Sequence, residues 1–207
     1  MAGLGGDTPL KLAVFISGRG SNMQALIDAC ARDDYPAKIE LVLSNKADAA
    51  GIERAQKSGL KTAIISHRDF EDRAAFEQAI LDTLAGHDID LICLAGFMRI
   101  LSPHFIKNWA GMIINIHPSL LPAYKGTDTH ARVLADGGKE SGCSVHFVVP
   151  EVDAGEIILQ RRVDVLEGDT PETLAARILE QEHIAYPEAV LKIARGEVKP
   201  PPKNAVE

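Results

Sequence analysis

The sequence predicts an α/β fold with a mostly parallel sheet flanked by helices. Two observations carry this. Runs rich in Val, Ile and Leu recur along the first half of the chain, as in parallel strands buried on both faces. Between them lie helical patterns and short loops, as in a Rossmann-like arrangement. With 207 residues, 46% hydrophobic and 25% charged, one core is expected and a mainly disordered or fibrous chain is excluded.

Strands are expected at residues 11–17, 39–44, 62–66, 90–96 and 112–117. Helices are expected between them at 22–32, 49–58 (closed by Gly59), 70–85 and 103–109. After residue 117 the rhythm changes. A loop with Pro and Gly over 118–127 leads to a helix near 129–136. Residues 144–149 and 156–165 then read as an adjacent C-terminal strand pair, for which antiparallel order is one option. The long final helix has the clearest limits: Thr170 suits the N-cap, Pro171 the first helical position, and Gly196 the far end. It is expected to pack across the sheet. Residues 1–10 read as a disordered leader with neither the basic nor the apolar region of a signal peptide, 11–198 as a single domain, and 199–207 as a flexible tail. No apolar run reaches the roughly 18 residues of a membrane span, so no membrane partner and a cytoplasmic setting are expected.

Charge narrows the function classes. Twenty-two Lys and Arg against 29 Asp and Glu give a net charge of −7, with no basic cluster, which disfavours nucleic-acid binding but allows one bound phosphate. The three cysteines are far apart and read as buried thiols. The seven histidines show no HExxH pattern, so no metal site is expected.

Three motifs could carry chemistry. The first is Ser17-Gly18-Arg19-Gly20-Ser21-Asn22, between a strand and a helix. Glycines there expose N–H groups at a helix start, where an anion is favoured. A dinucleotide fits poorly: Met23 replaces the third glycine of the fingerprint, and Ser44-Asn45-Lys46 supplies no acid for a ribose. The loop reads equally as a cradle for a monophosphate on Gly20, Ser21 and Asn22, or as a plain glycine turn with a serine cap.

The second motif is Ile114-Asn115-Ile116-His117-Pro118 at a strand end. Alternation puts Asn115 and His117 on one face, at the edge where open α/β sheets bind ligands. An amide N–H and an imidazolium could stabilise an oxyanion there. The third is Glu151-Val152-Asp153-Ala154-Gly155, which by itself reads as a turn, and gains importance only if Asp153 meets His117. Gln181-Glu182-His183 lies mid-helix, where an exposed polar pair is the ordinary expectation. With no Gly-x-Ser-x-Gly elbow and no cysteine beside a histidine, the nucleophile is expected to come from a substrate.

Taken together, Ile16 to Asn22, Leu94-Ala95-Gly96-Phe97-Met98-Arg99-Ile100-Leu101, Asn115 to Pro122 and Val152 to Gly155 resemble the phosphoribosylglycinamide formyltransferases, the folate-dependent enzymes of purine synthesis. The resemblance runs from about Lys11 to Lys199. It implies an enzyme moving a formyl group from 10-formyltetrahydrofolate to the amine of glycinamide ribonucleotide, with no metal, as a monomer or homodimer. It also implies roles. Asn115, His117 and Asp153 match the catalytic trio. Gly20, Ser21, Asn22 and Glu182 match substrate contacts. Arg73, Met98, Arg99, Ile100 and Leu101 match folate contacts, and Val149, Pro150, Glu151 and Val152 match the loop over the pterin. Thr127-Asp128 departs from the apolar residue expected after Gly126, which bears on the behaviour of the 118–128 loop. Two other families share the trio. Methionyl-tRNA formyltransferases carry a further C-terminal domain for tRNA, and formyltetrahydrofolate hydrolases a further N-terminal one, and neither is expected here. A non-catalytic nucleotide-binding module would explain the glycine loop but not the pairing of Asn115 with His117.

Overall fold

The computed structural model describes residues 8–202. The leader read over 1–10 therefore lies largely outside the described residues, and Leu10 already belongs to the first strand. The sheet has seven strands: β1 (Leu10–Ile16), β2 (Ala37–Ser44), β3 (Thr62–Ile64), β4 (Leu91–Leu94), β5 (Ile113–His117), β6 (Glu140–Phe147) and β7 (Ile157–Asp164). Their order is β3-β2-β1-β4-β5-β6-β7; β1 to β5 pair in parallel and β6 and β7 antiparallel. The strand order runs outward in opposite directions from the β1–β4 pair, and because these strands are parallel the loops after β1, β4 and β5 meet at one sheet edge.

Six helices flank the sheet among the described residues: α1 (Ser21–Cys30), α2 (Ala50–Lys57), α3 (Arg73–Ala85), α4 (Pro103–Asn108), α5 (Thr129–Ala135) and α6 (Pro171–Ala194). Alternation along β1 shows why both faces are covered. Leu12, Val14 and Ile16 enter a core with α1, α2 and α6, whereas Ala13 and Phe15 enter a second with α3 and α4. Tyr186 of α6 is fully buried, and its hydroxyl donates to the carbonyls of Leu94 (3.0 Å) and Ile114 (3.3 Å), so the helix is pinned across two strands. The caps of α6 are those its sequence suggests: Thr170 Oγ1 accepts from Thr173 N–H, Pro171 opens the helix, and Gly196 follows its end at φ 70°.

Most boundaries shift by one or two residues from expectation, and three differences have a clear physical reason. The helix expected from Phe70 starts at Arg73, because Asp72 accepts from Ala75 N–H and caps it there, while His67–Asp69 forms a separate 3₁₀ turn. β6 begins at Glu140 instead of residue 144, since Gly142 lies so close to the Arg161 carbonyl that only a glycine pairs there. At the far end, Pro200 and Pro201 of the expected tail lie against Gly111, where any Cβ would meet the Pro201 carbonyl at 2.7 Å. No helix among the described residues is long and apolar enough to cross a membrane.

Candidate active site

β5 ends in Asn115 and His117, on the same face of the strand by parity. His117 is 5% exposed. Its Nε2 lies 3.0 Å from the Tyr124 carbonyl and its Nδ1 3.4 Å from Asp153 Oδ2, so both ring nitrogens face acceptors. A doubly protonated ring satisfies both.

Asp153 reaches His117 through backbone geometry. Leaving β6, the chain loops out and returns so that Phe147 N–H donates to the Glu156 carbonyl at 2.9 Å. Gly155 makes the return possible, since a Cβ there would stand 1.8 Å from the Phe147 carbonyl oxygen. Asp153 itself adopts φ 50°, a left-handed conformation that Asp tolerates better than most residues. Its Oδ2 accepts the Gly126 N–H at 2.8 Å. Burial works to raise the Asp153 pKa, but the Gly126 N–H and the positive charge of His117 oppose it, and the carboxyl lies below the usual range.

His146 is a site residue that sequence reasoning missed. It stands opposite Asn115 in the β5–β6 ladder. Its Nδ1 donates to the Phe147 carbonyl at 2.7 Å, which leaves Nε2 to accept the Asn115 amide at 3.2 Å, with Asp153 Oδ1 3.6 Å away. One amide proton of Asn115 is thereby anchored and the other is free. The signal for it is modest: Ser144 and His146 alternate with the apolar Cys143, Val145 and Phe147 over the second half of the strand.

At the end of β1, Gly20 takes φ 70° and precedes α1 without a side-chain cap. A Cβ on Gly20 would meet Gly51 Cα at 3.0 Å, and Gly51 N–H donates to the Gly18 carbonyl at 3.0 Å, so two glycines pack back to back. Ser21 is thus the first helical residue and not the cap, which removes the serine-capped turn and leaves the leading N–H groups of α1 without a side-chain acceptor. Behind this loop, Asn22 Nδ2 donates to Glu182 Oε2 at 2.7 Å, while the buried Asn22 Oδ1 has no partner among the described residues. Glu182 is 7% exposed, contrary to the exposed mid-helix position expected from its neighbours. Packing of α6 on α1 buries it, and that burial pushes its pKa up against the opposing Asn22 bond.

The segment after β4 presents Met98 and Ile100 to solvent at 70% and 65% exposure, with Arg99 exposed between them. Leu101, expected to contact the same ligand, is buried in the core with Phe97, so its side chain supports the segment from beneath. Arg73 is exposed at the first position of α3. Val149 and Pro150 are half-buried, whereas Glu151 and Val152 are exposed. Glu151 pairs with Lys125 at 2.8 Å, and with the Gly126–Asp153 bond this ties the 118–128 loop to the 149–153 loop. Thr127-Asp128 sits in that loop, with Asp128 at φ 55° before α5, and Arg132 holds the Lys125 and Thr127 carbonyls. Cys30 and Cys143 play no part: burial pushes both thiols up to about 12.

The chain is similar to known proteins along most of its length. Residues 10–190 match the formyl transferase family. Phosphoribosylglycinamide formyltransferase of Escherichia coli is 44% identical over 190 residues, covering 92% of this chain and 90% of that protein. The trifunctional purine biosynthetic protein adenosine-3 of Bos taurus is 49% identical over 189 residues, but the chain spans only 19% of its length. Among solved structures, phosphoribosylglycinamide formyltransferase from Brucella melitensis superposes with a TM-score of 0.88 at 47% identity, covering 94% of this chain and all (100%) of that one. With 181 of its residues (10 to 190 inclusive) inside the family match and the site built on that same stretch, the chain belongs to the formyl transferase family.

Proposed function

We propose that the chain, as one domain over residues 11–198, transfers the formyl group of 10-formyltetrahydrofolate to the amine of glycinamide ribonucleotide, giving formylglycinamide ribonucleotide and tetrahydrofolate. The observation that carries this reading is the convergence of Asn115, His117 and Asp153 at one sheet edge. It stands among the loops that also bear an uncapped helix start and an apolar wall.

The residues fit the two substrates. The leading N–H groups of α1 suit a phosphate. Gly20, Ser21 and Asn22 would hold it, and the unpartnered Asn22 Oδ1 beside Glu182 suits a hydroxyl-bearing sugar. Met98 and Ile100 suit the flat face of a pterin, with Arg99 exposed between them and Leu101 beneath. Arg73 suits a glutamate carboxylate. Val149, Pro150, Glu151 and Val152 would close the pocket over the ring.

The chain's groups then divide the work. The free Asn115 amide proton and the His117 Nδ1–H, held only loosely at 3.4 Å from Asp153, turn to the formyl oxygen as it gains charge. Asp153 takes the proton shed by the attacking amine, directly or across one water. That proton returns to the folate nitrogen as its bond to the formyl carbon breaks and the new carbon–nitrogen bond remains. No enzyme nucleophile is required.

Release of tetrahydrofolate, followed by absorbance with both substrates present, tests the reading. Turnover that needs glycinamide ribonucleotide supports it, and an enzyme that binds folate but leaves this amine unformylated overturns it. The phosphate cradle is tested separately with the dephosphorylated glycinamide riboside, expected to bind about 100-fold more weakly than the nucleotide. Equal binding would return the loop to a plain turn.

A further inference from the structure

The segment from Gly96 to Ser102 contains no helix or strand, turns at Gly96 with φ 77°, and still displays Met98 and Ile100 outward. An irregular segment of this kind does not hold an apolar surface in place by its own contacts. Two buried side chains from other elements hold it instead.

The first is Ser17, just past β1. Its hydroxyl oxygen accepts the Met98 N–H at 2.8 Å and its proton goes to Asn45 Oδ1. Asn45 is itself buried, with Nδ2 3.4 Å from His67 Nδ1. The second is Glu77, in α3 one turn after Arg73. Its carboxylate is 2% exposed and accepts both the Ser102 N–H, at 2.7 Å, and the Ser102 hydroxyl. Ser102 in turn caps α4 by accepting the Phe105 N–H. Between the two anchors, Phe97 packs edge-on against Phe15 with ring centroids 5.4 Å apart, and Leu101 is buried. Inward and outward side chains are sorted by these points of attachment.

A buried carboxylate is costly unless fully hydrogen-bonded, and Ser102 caps its helix without help from one. The Glu77 carboxylate therefore does more than close a helix: it ties the wall to the helix that starts at Arg73. Residues four apart share a helix face. We propose that Ser17 and Glu77 are positioning residues for folate binding, fixing the backbone at residues 98 and 102 so that the apolar wall and Arg73 keep one spacing. Neither touches the ligand. The inference rests on the folate reading above and concerns how that half of the site is built.

The test titrates parent, Ser17→Ala, Ser17→Thr and Glu77→Gln with 5-formyltetrahydrofolate, and measures steady-state rates with 10-formyltetrahydrofolate and glycinamide ribonucleotide. Glu77→Gln keeps the side-chain volume and one acceptor, so the fold survives to be assayed. Ser17→Ala and Glu77→Gln are expected to weaken folate binding roughly 5- to 20-fold, with a matching rise in its KM. kcat and the nucleotide KM stay within about twofold, and Ser17→Thr, which keeps the hydroxyl, stays near parent. A purely structural role would lower Tm and leave this split absent. Parental folate affinity in folded Ser17→Ala and Glu77→Gln overturns the proposal. A parent that binds folate but does not formylate the nucleotide overturns only the acceptor reading; a parent that does not bind folate overturns both.

Discussion

His146 on β6 stands directly across the ladder from Asn115 on β5, with Nε2 3.2 Å from the Asn115 amide nitrogen. Its other nitrogen is fixed by the Phe147 carbonyl, so the ring presents a lone pair and not a proton to the amide. Asn115 is thus held with one proton committed and one free. His146→Gln keeps a polar group at the position but loses the ring's fixed direction. It should lower kcat about tenfold and leave both KM values nearly unchanged. Steady-state kinetics decide this, and an unchanged kcat would reduce His146 to a core residue.

Asp153 is asked to do the most. Asp153→Asn removes the charge while keeping the shape, and kcat should fall roughly 100- to 10,000-fold with both substrates saturating. Asn115→Ala should cost a comparable factor through loss of an oxyanion donor. The double variant should be clearly less than multiplicative, because both act on the same developing charge. Near-parental turnover in Asp153→Asn would sink the mechanism.

The pH dependence has a definite sign. The native Asp153 carboxyl lies below its ordinary value of 3.8, despite the opposing effect of burial, because the Gly126 N–H and His117 favour the charged form. A lowered carboxyl pKa gives stability that is fully present above the unfolded value and is lost as pH falls through the native one. Urea unfolding of parent and Asp153→Asn should therefore show a constant difference from neutral pH down to about 5. The difference should shrink below 4. A difference that instead shrank as pH rose toward neutral would contradict the assignment.

Gly155 is placed as the residue that delivers Asp153. Gly155→Ala puts a methyl group where the Phe147 carbonyl already stands, 1.8 Å away, so the return of the 148–156 loop must shift. A misplacement of about 1 Å costs on the order of 100-fold in rate, and kcat of Gly155→Ala should fall by about that factor. Because the proposed nucleotide cradle lies on a different loop, glycinamide ribonucleotide affinity, read by calorimetry, should remain within about threefold. Parental activity would mean that the loop position is not set by this contact.

Local rules made much of this molecule legible in its sequence. The two-residue period of β1 and β5 dictates which side chains share a face, so the sequence alone pairs Asn115 with His117. The caps of α6 are readable for the same reason: Thr170, Pro171 and Gly196 each satisfy backbone groups within one turn of themselves. The Rossmann-like sheet followed from buried runs between helical patterns, since both faces of each inner strand meet apolar layers. The chemistry assigned to the motifs came from their resemblance as a set, and no single one specified it.

What required the tertiary structure depends on chain segments meeting at a distance. Asp153 reads as a turn former until the loop, folded back by Gly155, sets it against His117. His146 enters only through antiparallel register, because strand pairing and not strand sequence chooses its partner. Glu182 sits among polar residues in the sequence, yet packing of α6 on α1 buries it against Asn22. Leu101 follows Met98 and Ile100 in an irregular segment, yet its side chain packs into the core with Phe97 while theirs face solvent. In each case the periodicity of one element says which way a side chain points, and only the packing of a second element says what it meets there.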